Sequence, residues 1–195
     1  MSITYIKQDL TTSDADYICH QVNCQGKMNS GVAKAIREKW PIVYTAYKQV
    51  CDEEITIGEP HHNMLGDIMY VNINDYNPKT WPNLPIVVNM FAQEYYGYDG
   101  KRYTSYDAFW SCLEHIKETV PKGSKIAFPY KIGSDRGGAN WDVIYTMIVA
   151  ALGEDYDIEF CYLEEDLWLK LKNNINNFEN EFLNGKWKIV KQEDK

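Results

Sequence analysis

The sequence predicts a single α/β domain in which helices cover both faces of a parallel or mixed β-sheet. Short segments with strand character alternate with helix-like segments from the beginning of the chain to its end. This order is typical of sheets that carry helices on both faces. The chain has 195 residues, of which 45% are hydrophobic and 25% are charged. That size and composition suit one core and leave little room for two large domains.

The first part of the chain predicts two strands and two helices. β-Branched and aromatic residues favour strands in ITYIKQDL, residues 3–10, and in DYICHQV, residues 16–22. The segment SGVAKAIREKWP, residues 30–41, begins with a candidate serine cap, continues with good helix formers and stops at a proline. A second helix is expected to follow directly, over residues 42–54.

The rest of the domain continues the alternation. Strands are predicted in GDIMYVNI (66–73), LPIVVNMFAQ (84–93), SKIAFPY (124–130) and DIEFCYL (157–163), and helices in YDAFWSCLEHIKETV (106–120) and NWDVIYTMIVAAL (140–152). The first of these helices is amphipathic, because its apolar residues recur at helical spacing. The polar segment 74–83 contains two prolines and three asparagines, which favour a loop.

The C-terminal residues, 165–195, differ from the rest because they are rich in Asn, Lys and Glu. Apolar side chains nevertheless recur there at steps of three or four residues, at Leu167, Leu171, Ile175, Phe178 and Phe182. This spacing predicts a helix that packs on the domain. We therefore expect one domain over residues 1–164 and a C-terminal helical extension over residues 165–195.

Charge and cysteine content limit the classes of function. The formal net charge of −8 opposes broad binding to nucleic acid, because Lys and Arg make most phosphate contacts. The five cysteines form no close CxxC pair, so neither a disulfide framework nor a zinc cluster is indicated. His61 and His62 lack further ligands nearby and are expected in an exposed loop. Without a long apolar run or a signal peptide, a cytoplasmic protein with no membrane partner is expected.

Two glycine-rich loops stand where a strand leads into a helix, which is where open α/β sheets bind ligands. They are NCQGKMNSGVAKAI, residues 23–36, and FPYKIGSDRGGANWDVI, residues 128–144. Glycine lets backbone approach a ligand closely, and free N–H groups at a helix start attract anions. Neither loop has the glycine–lysine motif of nucleoside triphosphatases or the glycine pattern of dinucleotide sites. One such loop could be a packing turn, but two together favour a diphosphate ligand.

The ordered combination of three segments resembles the macro domain family, whose members bind ADP-ribose. The segments are IKQDL, HQVNCQG followed by SGVAKAI, and FPYKIGSDRGGANW. The resemblance extends over residues 3–163. It implies a three-layer α/β/α macro domain with a central mixed sheet, and a ligand that is ADP-ribose or ADP-ribose-1″-phosphate. No cofactor and no metal are implied.

The resemblance also implies which residues contact ADP-ribose. Asp9 would accept a hydrogen bond from the adenine amino group beside Leu10, and Asn23 would lie near the distal ribose. Backbone amides would hold the diphosphate from two sides, at Gly31, Val32 and Ala33 and at Ser134, Asp135, Arg136, Gly137 and Gly138. Tyr162, at the end of the last strand, is a candidate to pack on adenine. The tyrosine-rich segment 94–106 is expected to cover either the ligand or the sheet edge.

Within the family, the chain is most similar to the ADP-ribose-1″-phosphate phosphatases. The histidine and aspartate that this branch implies are matched by His20 and Asp99, which would hydrolyse the phosphoric monoester to ADP-ribose and phosphate. A histidine can act as nucleophile or base, and a carboxyl can act as acid if its pKa is raised. A histidine in an apolar strand is usually a hydrogen-bonded core residue, but the place of His20 directly before a ligand loop favours a functional role. Asp99 could equally be a turn residue.

Two other functions remain open at this point. An ADP-ribosyl hydrolase would remove ADP-ribose from protein or nucleic acid, with water attack assisted by Asp135 or by the ligand's own phosphate. A non-catalytic module would only bind ADP-ribose. The branch of the family that forms a lysine adduct is disfavoured, because residues 91–94 contain no lysine and Lys101 lies further along the chain. Gly137 also stands where that branch has an aspartate, and Asn29 stands where relatives often have glycine.

Overall fold

Strands and helices alternate along the residues that the structure describes, and the predicted α/β class is confirmed. The structure is a computed structural model that describes residues 2–56, 64–76, 84–97 and 99–164. The strands are β1 (Ile3–Lys7), β2 (Tyr17–Asn23), β3 (Ile68–Asn72), β4 (Ile86–Gln93), β5 (Lys125–Pro129) and β6 (Asp157–Tyr162). The α-helices are α1 (Gly31–Lys39), α2 (Pro41–Thr56), α3 (Tyr106–Thr119) and α4 (Trp141–Leu152).

The strands form one mixed sheet in the order β1-β6-β5-β2-β4-β3. Neighbouring strands are parallel except for β3 and β4, which are antiparallel. Parallel neighbours need long crossover connections, and the helices between them along the chain supply these. The strand and helix pattern left the choice between a parallel and a mixed sheet open, and the resemblance implied a mixed one. The antiparallel edge strand β3 confirms the mixed sheet.

Helices cover both faces of the sheet. On one face, α1 and α2 contact each other and share a buried core with Ile18, Val22 and Phe91 of the strands. On the other face, α3 contacts α4, and Trp141 of α4 stands edge-on to Phe160 of β6 with 5.4 Å between the ring centroids. Because side chains alternate between the two faces of a strand, both faces are apolar and the domain has three layers.

The starts of the helices follow the sequence signals. Ser105 Oγ accepts a hydrogen bond from Ala108 N at 3.2 Å, and Asn140 Oδ1 accepts one from Asp142 N at 2.8 Å. These caps satisfy N–H groups that have no partner within α3 and α4. Helix α2 starts at Pro41, whose missing N–H suits a first helical position. Among the described helices, none has the length and apolarity needed to cross a membrane.

The topology brings the two predicted ligand loops together. Strands β2 and β5 are parallel neighbours, so their carboxyl ends lie at the same edge of the sheet. The loop after β2 leads into α1, and the loop after β5 leads into α4. The predicted extension over residues 165–195 lies outside the described residues, as do the His61–His62 pair and residues 77–83 of the predicted loop.

Candidate functional site

A cavity of about 260 Å³ lies at the carboxyl edge of the sheet, between the loops that follow β2 and β5. Among the residues predicted from the sequence, those that line it are His20, Asn23, Gly31, Val32, Ala33, Asp135, Arg136 and Gly137. The predicted residues that do not line it are Asp9, Leu10, Asp99, Ser134, Gly138 and Tyr162. The cavity is therefore lined by most of the residues predicted to hold the diphosphate and by one of the two predicted catalytic residues.

The start of α1 forms one wall of the cavity. Gly31, Val32 and Ala33 are its first residues and line the cavity. Ser30 occupies the cap position, but within the described part of the chain its side chain makes no cap hydrogen bond, and the first turn carries no acidic residue. The N–H groups of the first turn and the positive end of the helix dipole are therefore left for an anion.

The loop before α1 is held by Tyr47 of α2, which is fully buried. The Tyr47 hydroxyl donates to the carbonyl oxygen of Asn23 at 2.6 Å and accepts from the backbone N–H of Lys27 at 3.0 Å. The Asn23 side chain accepts from Gln25 N at 2.9 Å and donates to Lys27 O at 2.7 Å. Such bonds contribute about 1 kcal/mol each. Asn23 therefore shapes this loop through its own side chain.

The loop after β5 forms the opposite wall and lies close against the sheet. Gly133 has a φ of 71°, and a Cβ there would be 2.7 Å from Gln21 Oε1. A Cβ at Gly137 would overlap the Thr104 hydroxyl and the carbonyl oxygen of Gly133. Gln21 Nε2 donates to Gln93 Oε1 at 2.6 Å and to Thr104 Oγ1 at 2.8 Å. The Thr104 hydroxyl in turn donates to Gly133 O at 2.9 Å. Glycine is therefore required where the loop crosses these side chains.

Charged residues line the cavity although the whole chain is acidic. Lys27, Lys131 and Arg136 are positive and Asp135 is negative. Lys131 has a φ of 60°, a left-handed conformation that is uncommon for residues other than glycine and is often found at functional sites. Its Nζ lies 5.6 Å from the centroid of the Tyr130 ring, within the range of a cation–π contact. The positive charge is thus concentrated locally.

His20 lies within β2 and is 1% exposed. It pairs with Asn89 of β4, and its Nε2 donates to Asn89 Oδ1 at 2.6 Å. Burial lowers the pKa of His20 to about 4, although the hydrogen bond to Asn89 acts in the opposite direction. The imidazole is therefore neutral near pH 7. Its Nδ1 is buried and has no hydrogen-bond partner among the described residues.

Asp99 lies in a turn after β4, outside the cavity wall. Its carboxylate lies 3.0 Å from Lys101 Nζ and accepts a hydrogen bond from the Tyr103 hydroxyl at 2.8 Å. The contacts with Lys101 and Tyr103 lower the pKa of Asp99 to about 2. The structure therefore does not bring Asp99 into the cavity with His20.

Asp9 and Tyr162 lie at the same edge of the sheet, on the strands beyond β5. Asp9 caps a 3₁₀ turn, Leu10–Thr12, that follows β1 and contacts α1 and β5. Leu10 itself is buried in the core beneath α1. The Tyr162 ring stands edge-on to that of Tyr130, with 6.5 Å between the centroids, and Tyr130 lines the cavity. The predicted adenine residues therefore lie at the same edge of the sheet as the cavity, on the side towards β1, without lining it.

Several polar cavity residues had no recognisable signal in the sequence. Gln21 and Gln93 come from neighbouring strands, so only strand order and register bring their side chains together. Ser134 and Gly138 do lie in the predicted loop, but their backbone N–H groups bond to Lys131 O and Asp135 O and so shape the loop itself.

Within the described ranges, no three His, Cys, Asp or Glu side chains form a cluster suited to a metal.

Solved structures share this fold. The macrodomain of Mycobacterium tuberculosis DarG matches with a TM-score of 0.63 at 20% identity, over 80% of this chain and 96% of that one. Thermosipho africanus DarTG in complex with ADP-ribose matches with a TM-score of 0.64 at 16% identity, over 85% of this chain and 43% of that one. The chain therefore has the macrodomain fold, as the sequence predicted.

A curated relative is similar in sequence as well. The DNA ADP-ribosyl glycohydrolase of Mycobacterium tuberculosis is 26% identical over 158 residues, which cover 80% of this chain and 40% of the relative. The chain thus spans about two fifths of the length of that protein. No protein-family profile matches the chain.

Proposed function

We propose that this chain, which has the macrodomain fold, binds ADP-ribose in the cavity and removes the ADP-ribosyl group from modified nucleic acid by hydrolysis. The observation that carries the proposal is that Asp135 and Arg136 line the cavity together with the uncapped start of α1. A carboxylate base, a cation and an anion site are thus available in one place. The similarity to a DNA ADP-ribosyl glycohydrolase supports the same reaction.

The diphosphate of the ligand would lie between the start of α1 and the loop after β5. Backbone N–H groups can hold phosphates without a basic surface, which fits a chain with a net charge of −8. Arg136 and Lys131 would add charge-assisted hydrogen bonds from the loop after β5. The adenine would extend towards Asp9 and Tyr162, and the distal ribose would lie near Asn23.

Hydrolysis would break the bond between C1″ of the distal ribose and the modified base. A water oxygen forms the new bond to C1″, and Asp135 accepts a proton from that water. The nucleobase leaves with the bonding electron pair and takes up a proton from the protonated Asp135 carboxyl. Positive charge that develops on the ribose in the transition state would be stabilised by the Asp135 carboxylate and the ligand's own diphosphate. A positioned general base of this kind contributes about 10²–10⁴ in rate.

The substrate class follows from local rather than overall charge. An acidic chain opposes extended binding along a phosphate backbone. A single modified base requires few contacts beside the cavity, whose lining includes Lys27 and Lys131. We therefore propose a substrate in which ADP-ribose is recognised first and the attached nucleic acid makes few contacts.

A second candidate is hydrolysis of ADP-ribose-1″-phosphate by His20 and Asp99. The position of His20 in the cavity wall favours it. However, the imidazole is 1% exposed, and its Nδ1 is buried. With a pKa lowered to about 2, the Asp99 carboxyl is ionised at neutral pH and cannot donate the proton that the departing hydroxyl needs. The glycohydrolase reaction therefore has the stronger support.

Asp135→Asn is expected to slow the release of ADP-ribose from ADP-ribosylated single-stranded DNA by about 100-fold, because the general base is lost. Binding of free ADP-ribose should change by less than about tenfold. Asp99→Asn is the matched control, since it neutralises a carboxylate outside the cavity, and it should retain the activity. Chromatographic separation of released ADP-ribose from the oligonucleotide measures the rate.

The same proteins assayed with ADP-ribose-1″-phosphate separate the alternatives. Phosphate release that disappears in both Asp99→Asn and His20→Ala, with modified DNA left intact, would establish the phosphatase reading instead. Tight ADP-ribose binding with neither reaction would leave a binding module. An Asp135→Asn variant that cleaves modified DNA at the wild-type rate would remove Asp135 from the mechanism.

A further inference from the structure

A buried polar cluster lies beneath the turn that would hold adenine, and neither the fold nor the proposed reaction accounts for it. The turn, Leu10–Thr12, follows β1, and Asp9 caps it through Oδ1, which accepts from Thr11 N at 2.8 Å and from Thr11 Oγ1 at 2.7 Å. Oδ1 is thus occupied within the turn, so Oδ2 would be the oxygen that accepts a hydrogen bond from the ligand. The orientation of the whole turn then decides where that oxygen points.

Glu159 of β6 is the centre of the cluster and is fully buried. Its Oε1 accepts a hydrogen bond from Gln8 Nε2 at 2.6 Å and another from Ser13 Oγ at 2.8 Å. Gln8 immediately precedes Asp9, and Ser13 immediately follows the turn. One carboxylate oxygen therefore bonds to both ends of the four-residue segment between them, residues 9–12.

Lys125 of β5 supplies the opposite charge. Its Nζ lies 2.9 Å from Glu159 Oε2 and also contacts the carboxylate of Asp14, which lies just beyond the turn. Burial alone would raise the pKa of Glu159, but its contacts with Lys125, Cys161 and Ser13 outweigh burial and keep that pKa below its ordinary value. Glu159 is therefore ionised, and the segment before β2 is tied to both β5 and β6.

A buried ion pair contributes little net stability compared with well-packed apolar residues, so stability alone is a weak reason for this cluster. The contacts of Glu159 are directed at one short connection of the chain. We infer that Glu159 is a positioning residue that orients the Asp9 turn and so sets the preference of the site for adenine. This inference rests on the proposed binding of ADP-ribose.

Glu159→Gln tests it with almost no change in volume. Glu159 accepts hydrogen bonds from Gln8 and Ser13 and forms an ion pair with Lys125, so an amide N–H at this position would face another donor or the ammonium group. We expect the affinity for ADP-ribose to fall by about tenfold, because the bond between Asp9 and the adenine amino group is misaligned. The affinity for the hypoxanthine analogue, which lacks that amino group, should change little. Titration calorimetry with both nucleotides measures the ratio.

Two further variants serve as checks. Ser13→Ala removes one bond at the end of the turn without touching the charge, and it should reduce the adenine preference in a smaller step. Asp157 lies on the same strand and accepts hydrogen bonds from Ser2 instead. Asp157→Asn should therefore leave the preference for adenine unchanged. If Glu159→Gln does not fold, Ser13→Ala carries the test.

The outcomes separate this inference from the proposed function. A wild-type protein that prefers ADP-ribose, together with variants that lose this preference, supports the role of Glu159. A wild-type preference that persists in folded Glu159→Gln and Ser13→Ala overturns it and leaves the proposed function intact, as does equal wild-type affinity for the two nucleotides. A wild-type protein that binds neither nucleotide overturns both.

Discussion

Gly137→Ala is expected to abolish detectable ADP-ribose binding, with a loss of at least about 100-fold in affinity. The added Cβ would overlap the Thr104 hydroxyl and the carbonyl oxygen of Gly133. The loop cannot yield freely, because Gly137 O accepts hydrogen bonds from Tyr103 N at 2.8 Å and Thr104 N at 2.9 Å. The loop after β5 must therefore move away from the start of α1. This shift displaces one wall of the diphosphate site.

Gly123→Ala is the matched control for this substitution. Gly123 has a φ of 84°, and a Cβ there would meet nothing within 4 Å, so alanine adds backbone strain of about 1–2 kcal/mol without a clash. It precedes β5 and so lies at the edge of the sheet away from the cavity. Calorimetric titration should show wild-type affinity in this control. A folded Gly137→Ala protein with wild-type affinity would contradict the placement of the diphosphate.

Acidification from pH 7 to pH 4 is expected to reduce the free energy of unfolding through His20 by about 3 kcal/mol. Burial lowers the pKa of His20 from 6.5 to about 4, so between these pH values the unfolded chain binds a proton that the folded protein does not. The contribution of the neutral His20 imidazole to the free energy of unfolding is therefore complete above pH 6.5. It decreases as the pH falls towards 4. Urea unfolding at a series of pH values measures this loss.

His20→Gln should flatten this part of the pH profile, because glutamine does not titrate. His115→Gln is the matched control: His115 lies on α3 and its side chain is 40% exposed. Subtracting each variant's profile from that of the wild type isolates the contribution of one histidine, since all other titrating groups are unchanged. Parallel profiles for the wild type and His20→Gln would show that His20 is not held as a neutral core residue.

The fold was largely predictable from the sequence, because local patterns determine the strands and helices. The alternating segments identified each described strand and α-helix, and Pro41 marked the boundary between α1 and α2. The resemblance implied a mixed sheet, but the strand pattern alone does not show that β3 is the antiparallel strand, because residues 68–72 have the same apolar character as a parallel strand. Strand order depends on how the crossovers pack, which is a property of the whole domain.

The candidate site was predictable where it consists of continuous loops and less so where side chains meet across strands. Both glycine-rich loops face the cavity as their sequences suggested. The bond between His20 and Asn89 depends on the register of β2 against β4, which the sequence does not reveal. Asp99 lies only two residues from Lys101, which is a local sign of an exposed ion pair.

The central claim is that the cavity between the start of α1 and the loop after β5 binds ADP-ribose. Calorimetric titration of the intact chain with ADP-ribose tests it most directly. We expect one ligand per chain with a dissociation constant below about 100 μM, and competition between ADP-ribose and ADP for the same site. The absence of any saturable binding by the folded protein would contradict the account.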